Sequence, residues 1–416
     1  GDNIGRAPLL SDLHASAPQQ ERVVTRIRWR DVLDGDGDSI VPRRRSREVG
    51  YARDEHDNET RPMHELDVSH TTVATPVELV GLQLWRGAML ACDVLWAHKA
   101  ELFCTPGSHV ALEVGAGCGL PALVSARAGG RVFLTDASDD VLENAQANVA
   151  RSATTACFPE VGEVSVRRLD WGIPWHALCT SGTRKLPTPS AASEHDRFTW
   201  TGADSLLVAE RLRVIVAADC VYDVQATEAL LALVRDVLCQ ATQTQCCGSM
   251  SMDTLPARAD PLPPPPEHGS DTPRCGRPCH QLRVRSSHVV PSALGSAAPM
   301  LPDAPFALVT LEKRVNFSLG SLSASTTSAY HRFRELLLPR DARARAADGS
   351  LWQRAGQVLS GRQLDVGTIP QCVQNYERVP HLELWLLWVD MTEAPPVFTT
   401  ESNSKRQRPP RDSSAA

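Results

Sequence analysis

Short apolar runs alternate with helical periodicity through the middle of the chain. Residues 109–114, Arg131-Val132-Phe133-Leu134-Thr135, Val164 to Leu169, Arg213 to Ala218 and Phe306 to Leu311 are runs rich in aliphatic side chains. Runs of this length, bounded by polar turns, predict strands buried on both faces. Between them the apolar positions recur at helical spacing. Val77 to Trp85 leads into a helix with Ala88, Leu90, Ala91, Val94 and Leu95 on its apolar side. A second helix is expected from Leu120 to Ala128, and a third is opened by Ser138, with Asp139 and Asp140 suiting the dipole of its first turn. Ala226 to Leu238 and residues 326–338 complete the helical set. Leu382 to Trp388 reads as a final strand, paired with one near Gln363 to Val366. Alternating strands and helices predict an α/β fold, a doubly wound, mostly parallel sheet with helices on both faces.

The flanks and one internal stretch break this rhythm. Residues 1–75 mix charge and polarity, and only Arg22 to Trp29 alternates well enough for a strand, so 1–75 is expected to be a partly disordered N-terminal extension. Residues 241–304 hold 11 prolines and no Phe, Tyr or Trp. They lack the anchors of a core and are expected to form a disordered insert. It divides a first part of the domain, 76–240, from a second, 305–392. The tail over 393–416 is polar, expected to be disordered, and carries Lys405, Arg406, Arg408 and Arg411.

Composition narrows the possibilities. The chain has 416 residues, 42% of them hydrophobic, and 30 prolines, which suits one good core with long stretches outside it. A formal net charge of −6 gives no global basic field, so no direct nucleic-acid binding is expected. No apolar run reaches the ~18 residues of a membrane span, and no membrane partner is expected. Twelve cysteines are scattered without a frame, and no signal-peptide pattern is visible, which suggests reduced thiols in an intracellular protein. Asp34-Gly35-Asp36-Gly37-Asp38 has the start of a calcium loop, but Ser39 and Arg45 stand where its Gly and Glu belong, so it reads as a solvated turn. Cys275, Cys279 and His280 fall short of a four-ligand zinc site, and no metal is expected.

The chemistry gathers at strand ends. Glu113-Val114-Gly115-Ala116-Gly117-Cys118-Gly119-Leu120 is a strand running into a turn with glycines at alternate positions, followed by a helix with Pro121 in its first turn. Glycine lets the backbone approach a ligand, so valine at position 117 is expected to fill the ligand's volume. The dinucleotide spacing would need glycine where Leu120 stands, which disfavours an NAD-dependent oxidoreductase. Asp136 ends the second strand, where an acid can take both ribose hydroxyls. Asp170-Trp171 ends the third and offers an indole face for stacking. Ala218-Asp219-Cys220-Val221-Tyr222 ends the fourth. In a doubly wound sheet these ends face one crevice, where ligands bind.

Taken together, these residues resemble the class I, seven-β-strand methyltransferases that use S-adenosylmethionine (SAM). Within them the chain resembles the methyltransferase-like 21 group of protein-lysine methyltransferases. Glu113 to Gly119 matches the first motif, Trp85 the tryptophan before it, Asp136 the acid after strand two, Asp170-Trp171 the D-W pair and Asp219 to Tyr222 the D-x-x-Y motif. Val80 to Ala88, Phe198-Thr199-Trp200 and Leu311 to Phe317 extend the likeness toward one member, and Ser11-Asp12-Leu13-His14 does so weakly. The resemblance covers 77–239 and 305–390. It implies a Rossmann-like, seven-stranded, mostly parallel sheet with an antiparallel C-terminal strand. It also implies SAM as cofactor, S-adenosylhomocysteine as product, and methylation of a lysine on a protein substrate.

On the same resemblance, Trp85, Glu113, Gly115, Ala116, Gly117, Gly119, Asp136, Asp170, Trp171 and Ala218 hold SAM. Asp219 orients the lysine amine and Tyr222 walls its channel. Glu312, Lys313 and Arg314 lie at the same edge, either shaping the entrance or merely solvated. Two alternatives stay open. One is a SAM enzyme acting on a small molecule or nucleic acid, disfavoured because Asp-Cys-Val-Tyr stands where N-P-P-Y would mark a nucleic-acid amine. The other is a non-catalytic interaction protein that keeps the fold. The basic segments Arg43 to Arg47 and Lys405 to Arg411 give an expectation of nuclear residence at least in part, in the nucleus, the cytoplasm or both. A monomer is expected, with a nuclear nucleic-acid-binding protein as the kind of substrate.

Overall fold

The structure is a computed structural model that describes residues 8–31, 63–155, 162–181, 197–250, 301–313, 315–318, 323–337 and 357–391. Two strands come first, β1 (Val23–Arg30) and β2 (Met63–His70), paired as an antiparallel hairpin. Helices α1 (Arg86–Ala97) and α2 (Lys99–Leu102) lead to the main sheet. There β3 (Val110–Val114), α3 (Leu120–Arg127), β4 (Arg131–Asp136), α4 (Asp139–Thr155) and β5 (Val164–Arg168) alternate. After α5 (Trp175–Ser181) and α6 (Gly202–Arg211) come β6 (Leu212–Ala218), α7 (Val224–Met250) and β7 (Phe306–Glu312). The chain closes with the hairpin β8 (Val315–Ser318) and β9 (Ser323–Thr326), α8 (Ser328–Leu336), β10 (Gln357–Leu364) and β11 (Leu382–Met391).

The main sheet has seven strands in the order β10-β11-β7-β6-β3-β4-β5. Pairs among β5, β4, β3, β6 and β7 are parallel, and β11 runs antiparallel to both β7 and β10. The expected seven-stranded α/β sheet with an antiparallel C-terminal strand is thus present. Every residue of β3 is buried, as a central parallel strand requires. Alternation splits its side chains between two cores. Val110, Leu112 and Val114 face α5 to α8, and Ala111 faces α1, α3 and α4. The strand order reverses at β3, which lies between β4 and β6. A crevice therefore opens beyond its C-terminal end.

Two sequence expectations need correction. The N-terminal region contributes to the domain: Ile27, Trp29, Leu66 and Val68 are buried in the same core as α1 and α3. The outer face of that hairpin carries ion pairs, such as Arg26 with Asp67 at 2.8 Å. In β2 only two apolar positions alternate with polar ones, too few to read as a strand. The second correction concerns the insert, because α7 runs past residue 240 to Met250 with Ala241 buried. The polar Gln, Thr and Cys over 241–247 tolerate helix, and the first stop signal, Gly248, comes only near the helix end. At the other end, Leu301 is buried, and the Pro302 carbonyl accepts from Arg213 Nη1 at 2.6 Å. As expected, Val77 to Trp85 leads into a helix: Val77–Leu82 is a 3-10 turn, and α1 starts at Arg86. The calcium-like turn, the segments Arg43 to Arg47 and Lys405 to Arg411, Cys275, Cys279, His280 and the tail 393–416 lie outside the described residues. No helix among the described residues is long and apolar enough to cross a membrane.

Candidate active site

The glycine turn after β3 has backbone that only glycine holds without strain. Gly115, Gly117 and Gly119 have φ of 65°, 55° and 79°. A Cβ on Gly115 would stand 2.7 Å from the Trp171 ring. On Gly117 it would meet the Gly81 carbonyl oxygen at 2.8 Å. That corrects the expectation for valine at 117: its side chain strikes the 3-10 turn rather than the ligand space. Gly119 caps α3 from outside the cavity, and its Cβ would strike the Leu134 side chain.

Two carboxylates brace this turn. Glu113 is buried, and its Oε2 accepts the Ala122 amide at 2.7 Å. It thereby satisfies one of the orphan N–H groups at the start of α3. Burial raises its pKa well above the ordinary carboxyl range. Asp136 ends β4 and takes the Gly117 amide at 3.1 Å, the Ala137 amide at 2.8 Å and the Ser138 amide at 3.3 Å. Burial raises its pKa, against the pull of those three amides.

A cavity of about 710 Å³ opens beside the turn. Glu113, Gly115, Ala116, Gly117 and Asp136 line it, as do Asp170 and Trp171 after β5. Trp85 closes another side, its indole N–H held by the Val80 carbonyl at 3.0 Å. Ala218 at the end of β6, with Asp219 and Tyr222 after it, also line it, so every predicted site residue but Gly119 meets here, and Tyr222 is exposed at the rim. Sequence reasoning missed Glu78, Gly81, Gln83, Leu84, Ser138 and Gln225, which line it too. The Val80 to Trp85 segment carried the only signal, through its resemblance. The ionisable acids and bases among the lining residues are Glu78, Glu113, Asp136, Asp170 and Asp219, with Cys118, Cys220 and Tyr222; no Lys, Arg or His is among them. Burial pushes the Cys118 and Cys220 thiols far up, so both stay protonated.

Asp219 is the non-glycine residue at positive φ among the described residues, at 55°. Its Oδ2 accepts the Gly87 amide at 2.5 Å and its Oδ1 the Glu312 amide at 2.8 Å. Its own amide donates to the Thr310 carbonyl at 2.8 Å, and the Thr310 hydroxyl donates to the Gly87 carbonyl at 2.7 Å. The carboxylate thus clamps the first turn of α1 to the end of β7. A Cβ on Gly87 would sit 2.5 Å from it, which accounts for the glycine there. The start of α7 is capped by another residue, Asp223, which accepts the Gln225 and Ala226 amides at 2.9 and 3.0 Å. At the crevice edge Glu312 pairs with Arg86 at 2.8 Å, and Lys313 lies over the Tyr330 ring. Arg314 is outside the described residues.

Comparison with known proteins follows the same lines. Residues 64–186 match the family model described as "Lysine methyltransferase". Over 334 residues the chain is 29% identical to methyltransferase-like protein 22 of Mus musculus, covering 80% of this chain and 61% of that protein. The chain thus spans about three fifths of that relative's length. It is 34% identical over 95 residues to the mouse protein-lysine methyltransferase METTL21E, covering 22% of this chain and 36% of that one. It is 41% identical over 59 residues to the mouse histone-arginine methyltransferase METTL23, covering 14% and 22%. The resemblance read from the sequence therefore holds: residues 64–186 carry the pattern of the lysine methyltransferase family, and the chain is similar to methyltransferase-like protein 22 over most of its length.

Proposed function

We propose that this chain is a SAM-dependent protein-lysine N-methyltransferase. The observation that carries the reading is the acidic lining of the cavity at the strand switch point, which holds carboxyl groups and no Lys, Arg or His. A dinucleotide turn would need glycine where Leu120 stands, whereas a sulfonium and an ammonium are attracted to an acidic lining. The residues present fit SAM. Gly115 to Gly117 offer close backbone approach, Asp136 offers an acceptor at the end of β4, and the indoles of Trp85 and Trp171 offer flat apolar walls. When bound, SAM supplies a methyl group on a positive sulfonium, a charge that also disfavours protonation of a neighbouring amine.

The chain's own residues then align and enclose. Tyr222 at the rim walls the path of the incoming side chain. Asp219 holds α1 against β7, which keeps Trp85 on one side of the cavity and Ala218 on the other. Alignment is the main demand of a direct displacement, and no covalent enzyme intermediate is needed. The similarity to protein-lysine methyltransferase METTL21E supports protein lysine as the acceptor. Incubating the purified chain and a cell extract with isotope-labelled SAM tests this. Label in protein is the expected result; label in RNA or metabolites would replace the substrate class, and no label would favour a non-catalytic role.

The two basic segments, Arg43 to Arg47 and Lys405 to Arg411, support residence in the nucleus at least in part. Imaging the chain with both segments neutralised tests this point. An unchanged distribution would remove it.

A further inference from the structure

Three segments far apart in sequence meet at one buried amide. Asn148 on α4 is fully buried. Its Nδ2 donates to the Cys118 carbonyl at 3.0 Å and to the Ser69 carbonyl at 3.0 Å. Its Oδ1 accepts the Ser69 amide at 2.8 Å and Arg151 Nη1 at 2.9 Å. All four hydrogen-bonding positions of the side chain are thereby used, which also fixes the orientation of the amide. One turn earlier on the same helical face, Asn144 donates to the Ser69 carbonyl at 3.0 Å.

The Cys118 carbonyl belongs to the last peptide of the glycine turn. The amide of that peptide, from Gly119, donates to the Ala116 carbonyl at 2.8 Å. The peptide is held from both ends, by the turn itself and by Asn148. Two residues before it, Gly117 gives its amide to Asp136 at 3.1 Å. Any rotation of the 118–119 peptide therefore moves cavity backbone. Ser69 is the penultimate residue of β2, in the hairpin strand that packs against α4. Neither Asn148 nor Ser69 lines the cavity.

We infer that Asn148 is a positioning residue of the ligand site, coupling the N-terminal hairpin to the glycine turn. The inference rests on the SAM reading above. Asn148→Asp keeps size and shape but replaces the donor to both carbonyls with an oxygen. Asn148 touches no reacting atom, so the substitution is expected to weaken S-adenosylhomocysteine binding about tenfold in calorimetry, the upper range for coupling through a packed network. KM for SAM should rise in parallel while kcat at saturation stays within about twofold.

Coupling is reciprocal, which gives a readout without substitution. Saturating S-adenosylhomocysteine should slow hydrogen exchange at the Ser69 amide of the unsubstituted chain. Unchanged affinity in a folded Asn148→Asp chain, or unchanged exchange at Ser69 with ligand bound, would overturn the positioning role alone. Absence of S-adenosylhomocysteine binding by the unsubstituted chain would overturn the SAM reading and this inference with it.

Discussion

At the scale of single residues, the site is held by backbone that few side chains tolerate and by carboxylates that brace it. Gly117→Val forces a branched side chain onto the Gly81 carbonyl and off its favoured φ, a strain of about 1–3 kcal/mol. The variant is expected to lose SAM binding in calorimetry, and neither it nor the parent should bind NAD. Retained SAM affinity would show that the turn does not shape the site. Asp219 sits differently from the sequence expectation, because both its oxygens are engaged by the Gly87 and Glu312 amides. Asp219→Asn turns one acceptor into a donor facing an N–H, and an unmet buried amide costs about 1–3 kcal/mol. Turnover and stability should fall together, read by single-turnover methylation beside chemical denaturation. Lost turnover at unchanged stability would return Asp219 to a direct role at the amine.

At the scale of elements, polar networks between distant segments fix how the helices sit. Asp93 on α1 is fully buried, and it accepts the Cys372 and Val373 amides at 2.8 and 2.7 Å. Arg378 pairs with it at 2.6 Å, and the Tyr376 hydroxyl donates to it. Removing Arg378 strands the carboxylate, so Arg378→Ala should cost about 3–5 kcal/mol in urea unfolding. A loss well below 1 kcal/mol would mean that the pair contributes little to docking the C-terminal segment on α1.

The central strands were legible because burial on both faces demands continuous apolar runs, as in Val110 to Val114. The glycine turn, Asp136 and Trp171 were legible from spacing and resemblance. Asp93, Gln83 and Asn148 were not, because each bonds a segment far away in the chain and no local periodicity marks such a partner. The end of α7 was missed for the opposite reason, a polar composition that reads as loop.

At the scale of the whole molecule, the N-terminal segment is joined to the hairpin by two stacked imidazoles. His14 lies on His70 with centroids 4.8 Å apart. Burial, and then His70, lower the His14 pKa from 6.5 to about 4. Burial lowers that of His70 as well. Below pH 6.5 the unfolded chain takes up a proton at His14 that the folded chain refuses until about pH 4. Stability from this site is therefore complete above about pH 6.5 and is lost as pH falls toward about 4. Other carboxylates titrate nearby, so the test is the difference between the parent and His14→Phe across that window. The parent should lose more stability than the variant, and equal slopes would contradict the assignment.

The central claim is that the carboxylate-lined cavity delivers a methyl group to a lysine side chain. Mass spectrometry of extract proteins after reaction with deuterated-methyl SAM reads that outcome at the level of the residue. The account predicts labelled ε-methyl-lysine in protein with the parent chain, and its loss with Gly117→Val. Label on arginine, or none in protein while SAM still binds, would contradict it.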